Sequence, residues 1–282
     1  MVYQALAYCV GISLVFLLSI YVGTEGRRRN DPQVAKLRCM RVLLLSLVTP
    51  IFVYLVHDPS VYPPDTPFLH IIGLRMEGLL SACIFSLLLT TLFFLGPVVQ
   101  HFIVDGYYRV VAEPGFWMAS LNDPLWIRDH LCAPLVEEVC FRACVIPLLF
   151  PHLHELGSAI AGPVIFGLCH LHHLRERAQQ IDLPIALLVT AFQFTYTTLF
   201  GIYASYMFLR TGHIIPCILV HSFCNYMGVP QFPPEKGWLW PLFVGGVLAW
   251  LYMVGPLMDP GLYVNKVYNV YYSEMSNSQL DD

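Results

Sequence analysis

Residues 3–22 contain no charged side chain, and twenty apolar residues are what a helix needs to cross a bilayer. Six of the fifteen Lys and Arg residues follow at once, at Arg27, Arg28, Arg29, Lys36, Arg38 and Arg41. No basic stretch precedes the apolar run, the reverse of a cleavable secretory signal. The run therefore reads as a retained anchor whose C-terminal flank faces the cytoplasm. A second span is expected at about 42–56. Residues 57–70 then hold two Asp, four Pro and no Lys or Arg, as expected of a non-cytoplasmic loop. Residues 71–104 are too long for one untilted helix, so a tilted helix plus a re-entrant piece is expected. Residues 105–129 carry Trp117, Trp126 and turn signals and read as an interfacial loop. Apolar segments recur at about 131–150, 157–171, 181–209, 213–229 and 239–257, giving about eight spans.

Composition agrees with a membrane protein. Charged residues make up 12% of the 282 positions and hydrophobic ones 57%, against roughly 25% charged in a soluble domain. So few charges cannot clothe a water-soluble globule, a disordered chain or a small secreted disulfide scaffold. A net charge of −4 without a basic face gives nucleic acid nothing to bind. The nine cysteines form no CxxC pair, and most sit in apolar runs, where Cys behaves as a small hydrophobe. The expected architecture is an all-α integral membrane protein with a polar intramembrane cavity. It forms one polytopic domain over 1–282, with a polar tail at about 261–282 and a catalytic core at about 130–230.

Polar groups at membrane depth cost roughly 2.5–3.5 kcal/mol each on insertion scales, and three places in the second half incur that cost. In the first, Pro134 and Pro147 bracket a short helix that holds Glu137, Glu138 and Arg142. Glu138 and Arg142 are four apart and share a face, so they can pair. Glu137 is rotated about 100° away and stays free, which suits a general base. In the second, His170 ends an apolar run, and His172 and His173 lead into an aqueous stretch. In the third, His221 and Asn225 share a helical face in the middle of a span, and each needs a partner across the bundle. Each place has a structural alternative: an ion pair, a capping histidine, an interhelical hydrogen bond. Together they compose a water-activation site. Glu137 takes a proton from water, His170 helps to hold that water, and His221 and Asn225 donate to a developing oxyanion. The implied reaction is amide hydrolysis. Phe141, Phe166 and Phe223 are candidates for lining an apolar entrance.

Glu137-Glu138-x-x-x-Arg142, Phe166-x-x-x-His170 and His221-x-x-x-Asn225 resemble the three signature motifs of the type II CAAX prenyl endopeptidases, within the wider CPBP membrane protease superfamily. The motifs cover roughly residues 130–230. The resemblance implies a multi-pass protease of the endoplasmic reticulum, open to the cytosolic side. It would remove three C-terminal residues from farnesylated or geranylgeranylated CAAX proteins such as Ras-family GTPases. It implies Glu137 and His170 as the water-activating pair and His221 and Asn225 as oxyanion stabilisers. Glu138, Arg142 and Phe166 become supporting groups, and no bound metal or other cofactor is implied.

Other readings compete. A zinc protease would use HExxH, but His154-Glu155 is followed by Ser158 where a second histidine is needed; zinc held by Glu137, His170 and His221 stays conceivable. Cys140, Cys169 and Cys224 lie inside the motifs and raise a thiol nucleophile. A proton-coupled transporter could also use buried Glu and His, but no internal repeat supports it. A noncatalytic binder of prenylated tails is the last alternative.

Overall fold

The computed structural model describes residues 2–24 and 26–268. Every regular element among the described residues is helical. An N-terminal hairpin joins α1 (Val2–Tyr21) to α2 (Pro32–Val56). Asp31 starts α2: its Oδ1 accepts the backbone N–H groups of Gln33 at 2.8 Å and Val34 at 3.4 Å, and Pro32 sits in the first turn. An Asp cap followed by Pro at the first helical position satisfies orphan donors without losing a useful one.

The stretch 71–104 resolves into α3 (Leu79–Phe93) and α4 (Leu95–Val104), bent by 82° at Phe94. A bend of this size is that of one broken span or of a helix followed by a re-entrant piece, the latter being the arrangement expected from the length of the stretch. The interfacial stretch holds α5 (Pro114–Asn122), which exposes Trp117, Met118 and Leu121. A continuous helical run follows: Pro124–Ile127, a π-helical turn Arg128–Cys132, α6 (Ala133–Glu138), a second π turn Val139–Val145, and α7 (Ile146–Cys169). His154 breaks α7 with φ 56° and ψ −166°. Then come α8 (Leu183–Thr211), α9 (Ile214–Met227) and α10 (Trp240–Leu257).

Among the described residues, four helices are long and apolar enough to span a bilayer: Val2–Tyr21, Pro32–Val56, Leu183–Thr211 and Gly237–Leu257. The bent α3–α4 pair makes five. The count of eight expected from the sequence also drew on 131–150, 157–171 and 213–229. Those segments form the π-bulged and kinked α6–α7 run and the fourteen-residue α9. At 1.5 Å per residue α9 extends about 21 Å, short of a hydrocarbon core of about 30 Å.

Two apolar clusters fill the interior. One holds Cys9, Phe16, Val53, Val136, Cys140, Phe141, Cys144, Leu149 and Phe166, joining the N-terminal hairpin to α6 and α7. The other holds Leu89, Ala143, Ile146, Phe150, Met207, Phe208, Ile214, Val220 and Tyr268, joining α3, α7, α8 and α9. The second π turn supplies residues to both, so its polar side chains lie between them. Leu44, Leu47 and Leu55 on α2, Leu188 and Leu199 on α8 and Tyr252 on α10 face outward, a surface that suits lipid and not water.

The polar tail expected from residue 261 begins later than the sequence suggests. Tyr263, Asn265, Val267 and Tyr268 are buried. Arg75 Nη2 donates to the carbonyls of Tyr263 (2.6 Å), Val264 (2.9 Å) and Glu77 (2.9 Å). Asn265 Nδ2 donates to Leu209 O at 2.8 Å, and the Tyr268 hydroxyl donates to Ile71 O. Val267 and Tyr268 join the second cluster through their apolar and aromatic side chains; the rest of the expected tail, 269–282, lies outside the described residues.

Candidate active site

Glu138 and Arg142 sit on the second π turn and the residue before it, one helical turn apart, and are buried between the two clusters. They pair as their spacing predicts, with Arg142 Nη1 donating to Glu138 Oε1 at 2.9 Å. The same oxygen accepts from His221 Nδ1 on α9 at 2.7 Å. Carboxylate, guanidinium and imidazole thus form one buried network that ties α6–α7 to α9. Two rings lie against the guanidinium: Arg142 Cζ is 4.9 Å from the centroid of Phe166 and 5.7 Å from that of Phe200. A cation facing aromatic π-density recovers part of what it lost on leaving water. Gly201 on α8 makes this approach possible, because a Cβ there would lie 2.8 Å from Pro163 Cβ and 3.2 Å from Arg142 Nη2.

Glu137 takes no part in the ion pair. Its side chain keeps 18% of its surface, and Oε2 lies 3.9 Å from His221 Nε2, outside hydrogen-bond range. It lines a cavity of about 130 Å³ together with Phe166, His170 and apolar side chains of α1 and α2, which is room for several waters. His170 Nδ1 bonds to Phe166 O at 3.0 Å. A carbonyl only accepts, so Nδ1 carries the hydrogen and Nε2 is the acceptor of the neutral ring. The cavity wall thus carries two groups able to accept from water, the Glu137 carboxylate and the His170 imidazole.

His221 and Asn225 are placed differently from the expectation. Neither lines this cavity. Both His221 nitrogens face glutamates, and its ring lies 4.7 Å from that of Phe200. Asn225 is exposed, and its Nδ2 donates to Asp129 O at 2.8 Å, tying α9 to the first π turn. Of the three phenylalanines, Phe166 lines the cavity, whereas Phe141 packs against Phe16 and Phe223 against Phe94.

Sequence reasoning missed several participants. Phe200 lies in an ordinary aromatic run of α8 with no spacing to mark it. The cavity rim carries Arg29, Arg38, Arg128, Asp129, His172, His173 and Glu176. The arginines were visible only as a topology signal, because the folding of the α1–α2 loop over α7 leaves no local trace. All nine cysteines are free, and Cys140 packs wholly inside the N-terminal cluster. Among the described residues, no three His, Cys, Asp or Glu side chains converge as a metal-ligand set.

Fold and site together define a polytopic helical membrane protein with a glutamate- and histidine-lined cavity above a buried Glu–Arg–His network. The type II CAAX prenyl endopeptidase Rce1-like family matches residues 120–227, which hold all of these motif residues. CAAX prenyl protease 2 of Homo sapiens is 38% identical over 273 residues, covering 90% of this chain and 81% of that protein. Its counterpart of Arabidopsis thaliana is 30% identical, covering 92% and 91%. That of Saccharomyces cerevisiae is 29% identical, covering 78% of each. No solved structure matches the chain. The chain belongs to the type II CAAX prenyl endopeptidases.

Proposed function

We propose that this protein is an intramembrane endopeptidase that removes the C-terminal tripeptide from prenylated CAAX proteins, Ras-family GTPases among them, in the endoplasmic reticulum membrane. Curated relatives named CAAX prenyl proteases support the endopeptidase activity. The observation that carries the mechanism is the shared cavity of Glu137 and His170. Glu137 takes one proton from a water held by His170 Nε2. The water oxygen attacks the carbonyl carbon of the peptide bond after the prenylated cysteine, giving a tetrahedral oxyanion. Glu137 then returns the proton to the departing amine nitrogen as the C–N bond breaks. General-base assistance of this kind contributes about 10²–10⁴ in rate. Cytosolic opening is supported by the rim, since Arg29 and Arg38 belong to the basic cluster between α1 and α2.

Oxyanion stabilisation falls to His221 and Asn225, with conditions. His221 Nδ1 is committed to Glu138, so Nε2 donates only from the imidazolium form. Asn225 must give up the Asp129 carbonyl. The Glu138–His221 contact also favours a second reading, in which His221 Nε2 is the base and Glu138 orients it, as a carboxylate does in a triad. The test is tripeptide release from a farnesylated CAAX peptide by purified protein, with and without chelator. Glu137→Gln, His170→Ala and His221→Ala are expected to abolish release while still inserting, and Asn225→Ala to reduce it strongly; chelator should leave the wild type active. Near-normal release by Glu137→Gln would move the base to His221, and no release by wild type would end the reading.

A further inference from the structure

We propose that Arg29 and Arg38 at the cavity rim bind the free α-carboxylate of the substrate's last residue, and so fix which peptide bond reaches Glu137. The inference rests on the endopeptidase reading above.

Three guanidiniums stand on the rim, and they are not equivalent. Arg128 is spent: it makes a two-point contact with Asp129, at 2.7 and 2.9 Å, and its Nη1 donates to Arg29 O at 3.0 Å. Arg38 makes its hydrogen bonds and ring contact with neutral groups among the described residues. Its Nε and Nη2 donate to Thr24 Oγ1 at 3.3 and 3.2 Å, and its Cζ lies 5.6 Å from the Tyr21 ring centroid. Such partners orient a guanidinium without neutralising it. The Arg29 side chain is exposed and makes no hydrogen bond or ion pair with the described residues. The opposing acid, Glu176, is 40% exposed and lies 3.9 Å from His173 Nδ1. The cavity lining holds three arginines against Asp129, Glu137 and Glu176; with Arg128 paired to Asp129, Arg29 and Arg38 are the two guanidiniums with no carboxylate in hydrogen-bond contact.

Glu137, Arg29 and Arg38 line the same cavity, and capture of the substrate's end requires both arginines to lie within a tripeptide's reach of Glu137. Three extended residues span at most about 10–11 Å. With the scissile carbonyl at Glu137, in the half-buried interior, the substrate's carboxylate falls toward the mouth, where Arg29 is exposed. A planar guanidinium matches a carboxylate in two-point geometry. An enzyme that counts three residues from a chain end needs a group that recognises that end, and this pair supplies it.

The test compares a farnesylated CAAX peptide bearing a free C-terminal acid with the same peptide bearing a C-terminal amide, a near-isosteric change that removes one charge. Wild type should prefer the acid by about tenfold or more in kcat/KM, mostly through KM, the size expected of one charge-assisted contact. In Arg29→Gln/Arg38→Gln the preference should collapse to within about threefold. Arg29→Gln alone, which breaks no internal contact, should lose part of the preference and covers the case in which the double variant fails to fold. Arg109→Gln, outside the cavity, should retain the full ratio. Equal cleavage of acid and amide by wild type, or an unchanged ratio in the rim variants, overturns the inference and leaves the endopeptidase reading standing. Cleavage of neither peptide by folded wild type overturns both.

Discussion

Glu137 and Glu138 are neighbours in sequence, yet their replacement by Gln should fail in opposite ways. Glu138 is fully buried and holds both Arg142 and His221 through one oxygen. Glu138→Gln leaves the Arg142 guanidinium, itself 1% exposed, without a counter-charge and with only the Phe166 and Phe200 rings for company. Removing one partner of a buried pair costs about 3–5 kcal/mol. At about 2–4 °C per kcal/mol that lowers the unfolding midpoint by roughly 10 °C. Glu137 pairs with nothing inside hydrogen-bond range, so Glu137→Gln should leave the midpoint within about 2 °C while the rate falls by about 10²–10⁴. The assay is thermal unfolding of purified protein in detergent, read beside peptide cleavage on the same samples. Equal destabilisation by the two substitutions would refute the separation of roles. So would a Glu138→Gln protein with wild-type stability.

Gly201→Ala should lower stability by about 1–3 kcal/mol, because the added methyl meets Pro163 and Arg142 and overpacking of that kind strains its neighbours; an unchanged unfolding midpoint would show that α8 has room to shift. Asp31→Ala should cost about 1 kcal/mol through the lost cap of α2, visible as faster amide exchange at Gln33 and Val34. Cys140→Ala should keep peptide cleavage, since the thiol lies in the apolar cluster, whereas loss of cleavage with normal folding would return a thiol nucleophile to consideration.

What the sequence disclosed followed helix geometry. Four-residue spacing alone pairs Glu138 with Arg142 and leaves Glu137 outside, and the structure has both. The length of 71–104 required a break, which falls at Phe94. The contacts that sequence could not disclose are those between segments. His221 meets Glu138 across 83 residues, and Asn225 meets a backbone carbonyl 96 residues away. Neither leaves a mark in local spacing, and a backbone carbonyl has no residue type to search for. Hydropathy registers apolar content and carries no sign of the π turns, of the His154 backbone or of the shortness of α9, which are the features of the remaining expected spans. Tyr263, Asn265, Val267 and Tyr268 are buried through contacts with residues far away in the chain, which local sequence does not mark.

The carbonyl clamp on Arg75 sets a timetable for biogenesis. Its partners Tyr263 and Val264 are 188 and 189 residues downstream, which a ribosome adding about 5–20 residues per second reaches some 10–40 s later. Throughout that interval a guanidinium destined for the interior has no acceptor from the far end of the chain. Of its three carbonyl acceptors only Glu77 O, two residues on, is within reach during that time. Closure of this half of the molecule becomes a late, post-insertion event, and a chain stopped short of Val264 presents the quality-control machinery with an unsatisfied cation.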